Sequence, residues 1–347
     1  MSAPDATPPA LSVVICSRDG AAGVERCLGS LDAQRATHRL QVIVVDDGSS
    51  DHTSDVARRA GATLVRHDVG RGLAASRNDG IRRAEAEIVA FLDDDCEAAP
   101  DWAERLLAAF APGVAGAGGE VRPAGATGYM LGFLSRNNPL APLEAALGRS
   151  ASLPYRLGLY LRDQLAIESP GGRRPVNALV GANMAFRRSV LEAVGLFDER
   201  FTFGAEELDL CWRVTARYPE LELVVDPSIV VTHHFRPGLR DGLRRARSYG
   251  RGTARLYRKW PRMRPTVYPW PLVALALALA ALRDRRWAPA AAAWPLLAYP
   301  RAVRHAARDR AGAPLLDAYV RLGEEHLTNI GFAAGAWEFR DLQPEAL

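Results

Sequence analysis

Three consecutive aspartates, Asp93, Asp94 and Asp95, follow an apolar run in the segment "EIVAFLDDDC". Like charges stacked at a strand end repel one another, and burial sharpens the repulsion. Alternate side chains of an extended chain share a face, so Asp93 and Asp95 turn one way and Asp94 the other. Two carboxylates in that Asp-x-Asp spacing can share a divalent cation such as Mg2+ or Mn2+, which removes the repulsion. Magnesium usually takes one or two carboxylates plus phosphate oxygens, so the chemistry implied is that of a metal–diphosphate. Over this segment alone, a solvated acidic loop reads equally well.

The elements around the aspartates narrow the choice. "LSVVIC", "LQVIVV", "ATLVRH" and "EIVAFL" read as strands, and "GVERCLGSLDAQ", "TSDVARRAG" and "GLAASRNDGIRRA" between them as helices. Such alternation over residues 11–110 predicts an α/β fold with a doubly wound, mostly parallel sheet. The continuous apolar runs suit strands buried on both faces. Ligands of such sheets bind beyond the carboxyl ends of the strands. "CSRDG", "DDGSSD" and "DDDC" all follow strand ends, so three polar clusters are expected on one edge.

Residues 111–175, rich in Gly, Ala, Pro and Arg, carry no assignable period. Periodicity returns at "NALVGANMAFRRSVLEAVG" and "EELDLCWRVTARY", followed by two strands, "LELVVD" and "SIVVTHHF". A helix is expected from about Gly238 to Trp260. Two apolar runs, Val267–Leu282 and Trp287–Val303, flank "RDRR". Each is shorter than the ~20 residues a spanning helix needs. Prolines interrupt their ends, and a spanning hairpin would put "RDRR" on the far side, against the positive-inside tendency. A hairpin lying at a membrane interface is expected. The alternative is a buried Ala/Leu-rich helix pair.

Charge is unevenly placed. The net charge is +4, yet residues 236–264 hold eleven basic side chains against Asp241 alone, a local +10. That excess points to an anionic partner such as phosphate, a membrane surface or nucleic acid. For nucleic acid the stretch lacks an interleaved aromatic ladder, and residues 11–235 would go unexplained. The four cysteines make no CxxC pair, which suits a reduced, cytosolic setting. Residues 1–10 carry no basic or apolar signal region and read as a short disordered leader.

Taken in order, "LSVVICSRDG", "QVIVVDDGSSDHT", "GLAASRNDGI", "IVAFLDDDCEAAPDW", "GANMAFRRSVLEAVGLFDE" and "EELDLCWR" resemble the family 2 glycosyltransferases of GT-A fold. The resemblance covers roughly residues 11–235. It implies metal-dependent sugar transfer from a nucleotide diphosphate donor with inversion at the anomeric carbon. It further implies that Asp47 accepts from the donor base and that Cys16, Ser17 and Asp19 form the first nucleotide loop. "CSRD" departs from the family's usual Pro-Thr-Tyr-Asn-like loop. Asp68 matches a polar base contact, Arg77 a diphosphate contact, Asp93 a ribose contact and Asp95 a metal ligand, with Asp94 beside them. His233 matches a histidine that completes the metal site, with His234 as the second choice. The catalytic base aligns with Glu207, where the family usually has Asp. Glu206 neighbours it, and Asp209 is expected to brace the helix with Arg213.

No Gln-x-x-Arg-Trp acceptor motif is present; "YRKW" (257–260) is a partial echo. Single addition is therefore expected rather than polymerisation, onto a lipid-linked or cell-envelope glycan at the cytoplasmic face of the membrane. A cytoplasmic enzyme and a catalytically silent nucleotide-sugar-binding protein are the alternatives. The expected organisation is a leader (1–10), a GT-A domain (11–235), a basic helical segment (236–265), an apolar hairpin (266–305) and a helical tail (306–347).

Overall fold

Alternation in the first strand sets the layering. In β1 (Leu11–Ser17), Leu11, Val13 and Ile15 enter one core and Val14 the other. β2 (Leu40–Asp46) repeats the pattern with Val42 and Val44 against Ile43 and Val45, and β4 (Ile88–Asp93) with Ala90 and Leu92 against Val89 and Phe91. A sheet buried on both faces needs a helical layer on each. The structure is a computed structural model, and it describes residues 8–345 except 126–127, 149, 151, 168–169, 203, 237 and 264–267. Most of the expected leader lies outside the described residues.

β1 and β2 are joined by α1 (Ala21–His38), β2 and β3 (Thr63–Arg66) by α2 (Thr53–Arg59), and β3 and β4 by α3 (Leu73–Arg83). These four strands are parallel, in the order β3-β2-β1-β4. Beyond β4 the sheet becomes mixed. A short β5 (Cys96–Ala98) and α4 (Trp102–Ala109) lead to β6 (Val114–Pro123), then α5 (Tyr129–Arg136), β7 (Leu143–Glu144) and α6 (Leu153–Leu165). β8 (Arg174–Ala178), β9 (Asn183–Arg187), α7 (Arg188–Ala193), α8 (Glu206–Arg217) and β10 (Glu222–His233) follow. β9 inserts antiparallel between β4 and β6, and β10 lies parallel to β6 while pairing antiparallel with β5 and β8.

Two local expectations change. The periodic segment 177–195 is two short strand pieces and one helix, because "NMAFR" is buried on both sides between β4 and β6. "LELVVD" and "SIVVTHHF" form one strand, with a register shift between Asp226 and Val230 accommodating Pro227.

The C-terminal part is helical: α9 (Leu239–Lys259), α10 (Trp270–Arg283), α11 (Ala288–Ala298), α12 (Pro300–Asp309) and α13 (Asp317–Glu338). α13 lies along α9. α10 and α11 form the expected hairpin, held by Trp270 against Trp294 with ring centroids 5.4 Å apart. α10 has 14 residues, about 21 Å of helix, against ~30 Å of bilayer hydrocarbon. Among the described residues, no helix is long and apolar enough to cross a membrane. A buried Asp317 ties the helices to α5, accepting from Arg136 Nε at 2.6 Å and Tyr129 at 3.0 Å.

Candidate active site

The parallel strands bring their carboxyl ends together. Ser17 is in register with Asp46, and Cys16 with Asp93. Next to this edge, β10 ends at His233, paired with Cys96 directly after the three aspartates. Positions as far apart in the sequence as Cys16 and His233 thus meet at one place.

The triple aspartate divides between two sets of partners, but through a turn rather than strand alternation: β4 ends at Asp93, and Asp94 and Asp95 form the turn into β5. Asp94 turns towards β1 and accepts from the Ser17 hydroxyl. Gly20 makes room for it: a Cβ there would lie 2.2 Å from Asp94 Oδ2. Asp93 and Asp95 face His233, whose Nε2 is 4.0 Å from Asp93 Oδ2 and 3.3 Å from Asp95 Oδ1. Burial, then the charge of Asp93, pushes Asp95 up to about 7. Burial alone dominates at Asp94 and pushes it up to about 6. Burial holds His233 below its ordinary value, in the neutral form that ligates metals. Its ring stacks on Phe235 with centroids 4.1 Å apart, which fixes its orientation.

This donor set fits a divalent cation. Oxygen and imidazole ligands suit Mn2+, and oxygen ligands suit Mg2+. An Asp95–His233 separation of 3.3 Å is close to the edge between adjacent ligands of an octahedral ion with bonds of roughly 2.1–2.3 Å. Cys96 is close to both, and burial pushes its thiol well above the ordinary value. His234 points elsewhere: its Nε2 meets Glu97, while its backbone N–H donates to the Asp95 carbonyl at 2.8 Å.

Arg77 lies beneath the aspartates. It is 3% exposed, with Nη1 2.8 Å from Glu206 Oε1 and Nη2 3.5 Å from Asp93 Oδ1. Phe91 and Phe197 flank its guanidinium. In this position it links the acidic strand end to α8 rather than projecting into open space.

α8 begins after two residues of left-handed backbone, Gly204 and Ala205 (φ 75° and 70°). This sharp entry presents Glu206 inward to Arg77 and leaves Glu207 partly accessible. Burial, then the Glu206 charge, raises Glu207 well above the ordinary carboxylate range, against the opposing pull of Arg77. Neither Glu206 Oε2 nor Glu207 Oε2 has a hydrogen-bond partner among the described residues. Asp209 braces the helix as expected: it accepts from Arg213 Nε at 2.8 Å, Trp260 Nε1 at 2.7 Å and Lys259 Nζ at 2.8 Å.

The nucleotide-side residues are strongly held. Asp47 accepts from the N–H groups of Arg71 (2.7 Å) and Gly72 (2.9 Å) and meets His67 Nδ1 at 2.7 Å. Burial pushes it up, but these bonds outweigh burial and keep it below the ordinary value. A carboxylate has about four lone-pair sites, so one is left for a further donor. Asp19 (φ 54°) spends Oδ1 on the Ser50 N–H and hydroxyl, pinning the first loop to the second. Cys16 is a thiol whose pKa burial raises to about 12. Asp68 is exposed in the loop after β3.

Three further residues complete the surroundings of the site, of which Arg245 belongs to the basic stretch expected to meet phosphate. His67 bridges Asp47 and Asp79, at 2.7 and 2.9 Å. Arg245 of α9 sits over the Phe235 ring at 5.5 Å, on the stack that carries His233. Tyr249 of α9 packs on Gly204 at the entry to α8: a Cβ there would lie 3.1 Å from its ring. Arg245 and Tyr249 come from α9, beyond the motif-bearing residues 11–235.

The mixed sheet with an acidic switch in mid-edge is the GT-A fold. Residues 12–195 match the family described as Glycosyl transferase family 2, and the chain belongs to that family. It is similar to the pre-mycofactocin glycosyltransferase of Mycobacterium tuberculosis, 32% identical over 255 residues, 72% of this chain and 48% of the relative. Similarity extends to the validoxylamine A glucosyltransferase of Streptomyces hygroscopicus subsp. jinggangensis, 33% identical over 225 residues, 60% of this chain and 52% of the relative. It extends also to the glycosyltransferase AglE of Haloferax volcanii, 33% identical over 238 residues, 67% of this chain and 69% of the relative. The chain spans about half the length of the first two. A mannosyltransferase from Pyrobaculum calidifontis, solved with GDP-Man and Mn2+, shares the fold at TM-score 0.57 and 21% identity, covering 96% of this chain and 90% of the other.

Proposed function

We propose that the protein is a metal-dependent inverting glycosyltransferase that moves one sugar from a nucleotide diphosphate donor to an acceptor hydroxyl. The observation carrying this reading is the meeting of Asp93, Asp95 and His233 with Arg77, Glu206 and Glu207 on one sheet edge. Asp95 and His233 would hold Mg2+ or Mn2+, with Asp93 at the donor ribose. When bound, the ion supplies positive charge to the leaving diphosphate.

In this mechanism Asp47 receives a donor-base N–H on its remaining lone pair, in the loop shared with Cys16, Ser17 and Asp19. Asp94 holds Ser17 in place. Arg77 fixes the separation of Asp93 and Glu206 and contributes charge from below. Arg245 stands on the open side of the His233 stack and adds charge there. Glu207 is the carboxylate left free to take the acceptor proton as its oxygen attacks the anomeric carbon from the face opposite the diphosphate. The new bond from the acceptor oxygen forms as the anomeric C–O bond breaks, its electron pair leaving with the diphosphate, so this direct displacement needs no covalent enzyme intermediate. The raised pKa of Glu207 makes its carboxylate a stronger proton acceptor when ionised.

The acceptor we favour is a lipid-linked or cell-envelope glycan, met at the cytoplasmic face of the membrane. Support comes from the exposed leucines of α10 beside a strongly basic helix. The test is a panel of nucleotide sugars assayed for binding and hydrolysis with and without Mn2+. One donor should bind only with metal, lose binding in Asp95→Ala and keep binding without turnover in Glu207→Gln. Failure of every donor under every metal condition would sink the reading.

A further inference from the structure

α9 carries two unlike faces. One bears Arg245 and Tyr249, the residues that reach the candidate active site. The other bears Arg240, Arg244 and Arg247, whose spacing puts them on one stripe. All three are exposed, and none makes an ion pair among the described residues. Further along the helix Arg251 pairs with Glu338, and Lys259 with Asp198 and Asp209.

Beside this stripe runs an open apolar groove of about 430 Å3 between α9, α10 and α13. Leu243 lines it from α9, Leu275 and Ala278 from α10, and Leu322 and Leu327 from α13. Leu243 stands three residues after Arg240 and four before Arg247, so both arginines flank it on the helix surface. Past the other lip, α10 exposes Leu272 (66%), Leu275 (48%), Leu279 (49%) and Leu282 (84%) along one face. Aligned apolar side chains of this extent mark a contact surface rather than ordinary surface scatter.

We propose that this face seats the protein on an anionic phospholipid leaflet. Acyl carbons cover the α10 leucines and enter the groove, and headgroup phosphates pair with Arg240, Arg244 and Arg247. The proposal deepens the membrane-surface reading above and rests on it. Charge complementarity selects the occupant: guanidinium groups bind phosphate bidentately, and a basic stripe bordering apolar side chains matches the layering of headgroup over hydrocarbon. A second copy docked by two-fold symmetry would set the unpaired arginines of both chains against each other. α10 is too short to span, so it lies in the plane. α9 alone, about 10 Å thick, then separates the headgroups from the catalytic carboxylates.

The test is flotation of the full chain with vesicles of phosphatidylcholine, with and without phosphatidylglycerol. Wild type is compared with R240Q/R244Q/R247Q and with L275E/L279E. Binding should require phosphatidylglycerol and weaken as salt rises. At about fivefold per charge, the triple arginine variant should bind roughly 100-fold more weakly. L275E/L279E should also lose binding. Both variants should keep the wild-type thermal unfolding midpoint and metal-dependent donor hydrolysis in solution. Equal binding to both vesicle types, indifferent to the arginine changes, overturns this proposal and leaves the membrane-surface reading intact. A leucine-dependent dimer in sedimentation, with vesicle binding unchanged by either variant, overturns it too. Failure to bind any vesicle removes the membrane-surface reading itself.

Discussion

Arg77 Nη1 and Glu206 Oε1 stand 2.8 Å apart at the centre of the protein, and the other arm of the same guanidinium reaches Asp93 at 3.5 Å. One arginine thus sets the distance between the acidic strand end and the helix that carries Glu207. Both members of the close pair are almost fully buried. Removing one partner of such a pair strands the other charge, at a cost of about 3–5 kcal/mol. Arg77→Met should therefore lose that much stability in urea unfolding. Arg77→Lys should rescue it only partly, since an ammonium cannot reach two carboxylates with a planar fork.

Glu207→Gln should lower kcat by about 10²–10⁴-fold, the usual contribution of general acid–base catalysis. Donor affinity should stay within about twofold of wild type, read by calorimetry. A base works only when ionised. Because burial and Glu206 raise its pKa, wild-type kcat should fall as pH drops through the neutral range, not near the ordinary glutamate value of about 4.3. Stability should run the opposite way. A raised acid contributes stability that is fully present below its unfolded value and lost as pH rises through its folded value. Glu207→Gln should therefore gain melting temperature over wild type at alkaline pH, and gain little at pH 4.

Beyond burial, the charge of the neighbouring Asp93 raises the pKa of Asp95, and a bound cation would relieve that repulsion. Mn2+ at about 100 times its Kd should add roughly 2.7 kcal/mol of stability, and a chelator should reverse it. Asp95→Asn removes the repulsion together with a ligand. It should leave the chelated protein at least as stable as wild type while abolishing the Mn2+-induced shift in thermal unfolding. A full Mn2+ shift in this variant would put the ion elsewhere.

Lys259 is the only lysine of the chain, and it is buried, with Nζ 2.8 Å from both Asp198 and Asp209. Lys259→Met should cost up to about 3–5 kcal/mol, because the buried Asp209 and the half-buried Asp198 each lose one of two counter-charges and keep only Arg213 and Arg200. Asp198 is opposed by burial, but Arg200 and Lys259 outweigh it and hold its carboxyl well below the usual range. Such a group contributes stability above its unfolded value of about 3.9, lost as pH falls towards its lower folded value. The gap in stability between wild type and the variant should consequently narrow in acid, as measured by urea unfolding at pH 7 and pH 3.

α9 and α13 approach too closely for side chains at their contact. A Cβ at Gly331 would lie 2.0 Å from the Arg247 carbonyl oxygen, and one at Gly250 2.1 Å from that of Thr328. Gly331→Ala should force the helices apart and cost about 1–3 kcal/mol. Limited proteolysis should then cut the C-terminal helices faster than in wild type.

The strands β1 to β4 were legible because each is an apolar run closed by polar turn residues, and α9 because its spacing is helical from end to end. β6 hid in "VAGAGGEVRP": Gly119 passes so near Ile229 of β10 that a Cβ would lie 1.8 Å from its carbonyl oxygen, and the glycines erase the strand signature. β9 hid because five residues buried on both faces have no period of their own. The meeting of Asp93, Asp95 and His233 was legible because it rests on strand ends. His67 gave no sign, since its role depends on Asp47 and Asp79 converging from two other elements. Arg77 was recognised, but its burial against Glu206 follows from a pairing 129 positions apart.

The clamp from Lys259 and Trp260 to Asp209 has a bearing on how such proteins diversify. α9 follows β10 and its far end is bonded back to α8 through Asp209, so the sheet domain and the helices after it are not freely interchangeable parts. A chimera joining this sheet to a relative's tail at residue 235 would inherit a buried aspartate without its lysine and indole. New acceptors should therefore evolve by substitution on exposed faces of the helices, while the α8–α9 seam descends as one heritable unit.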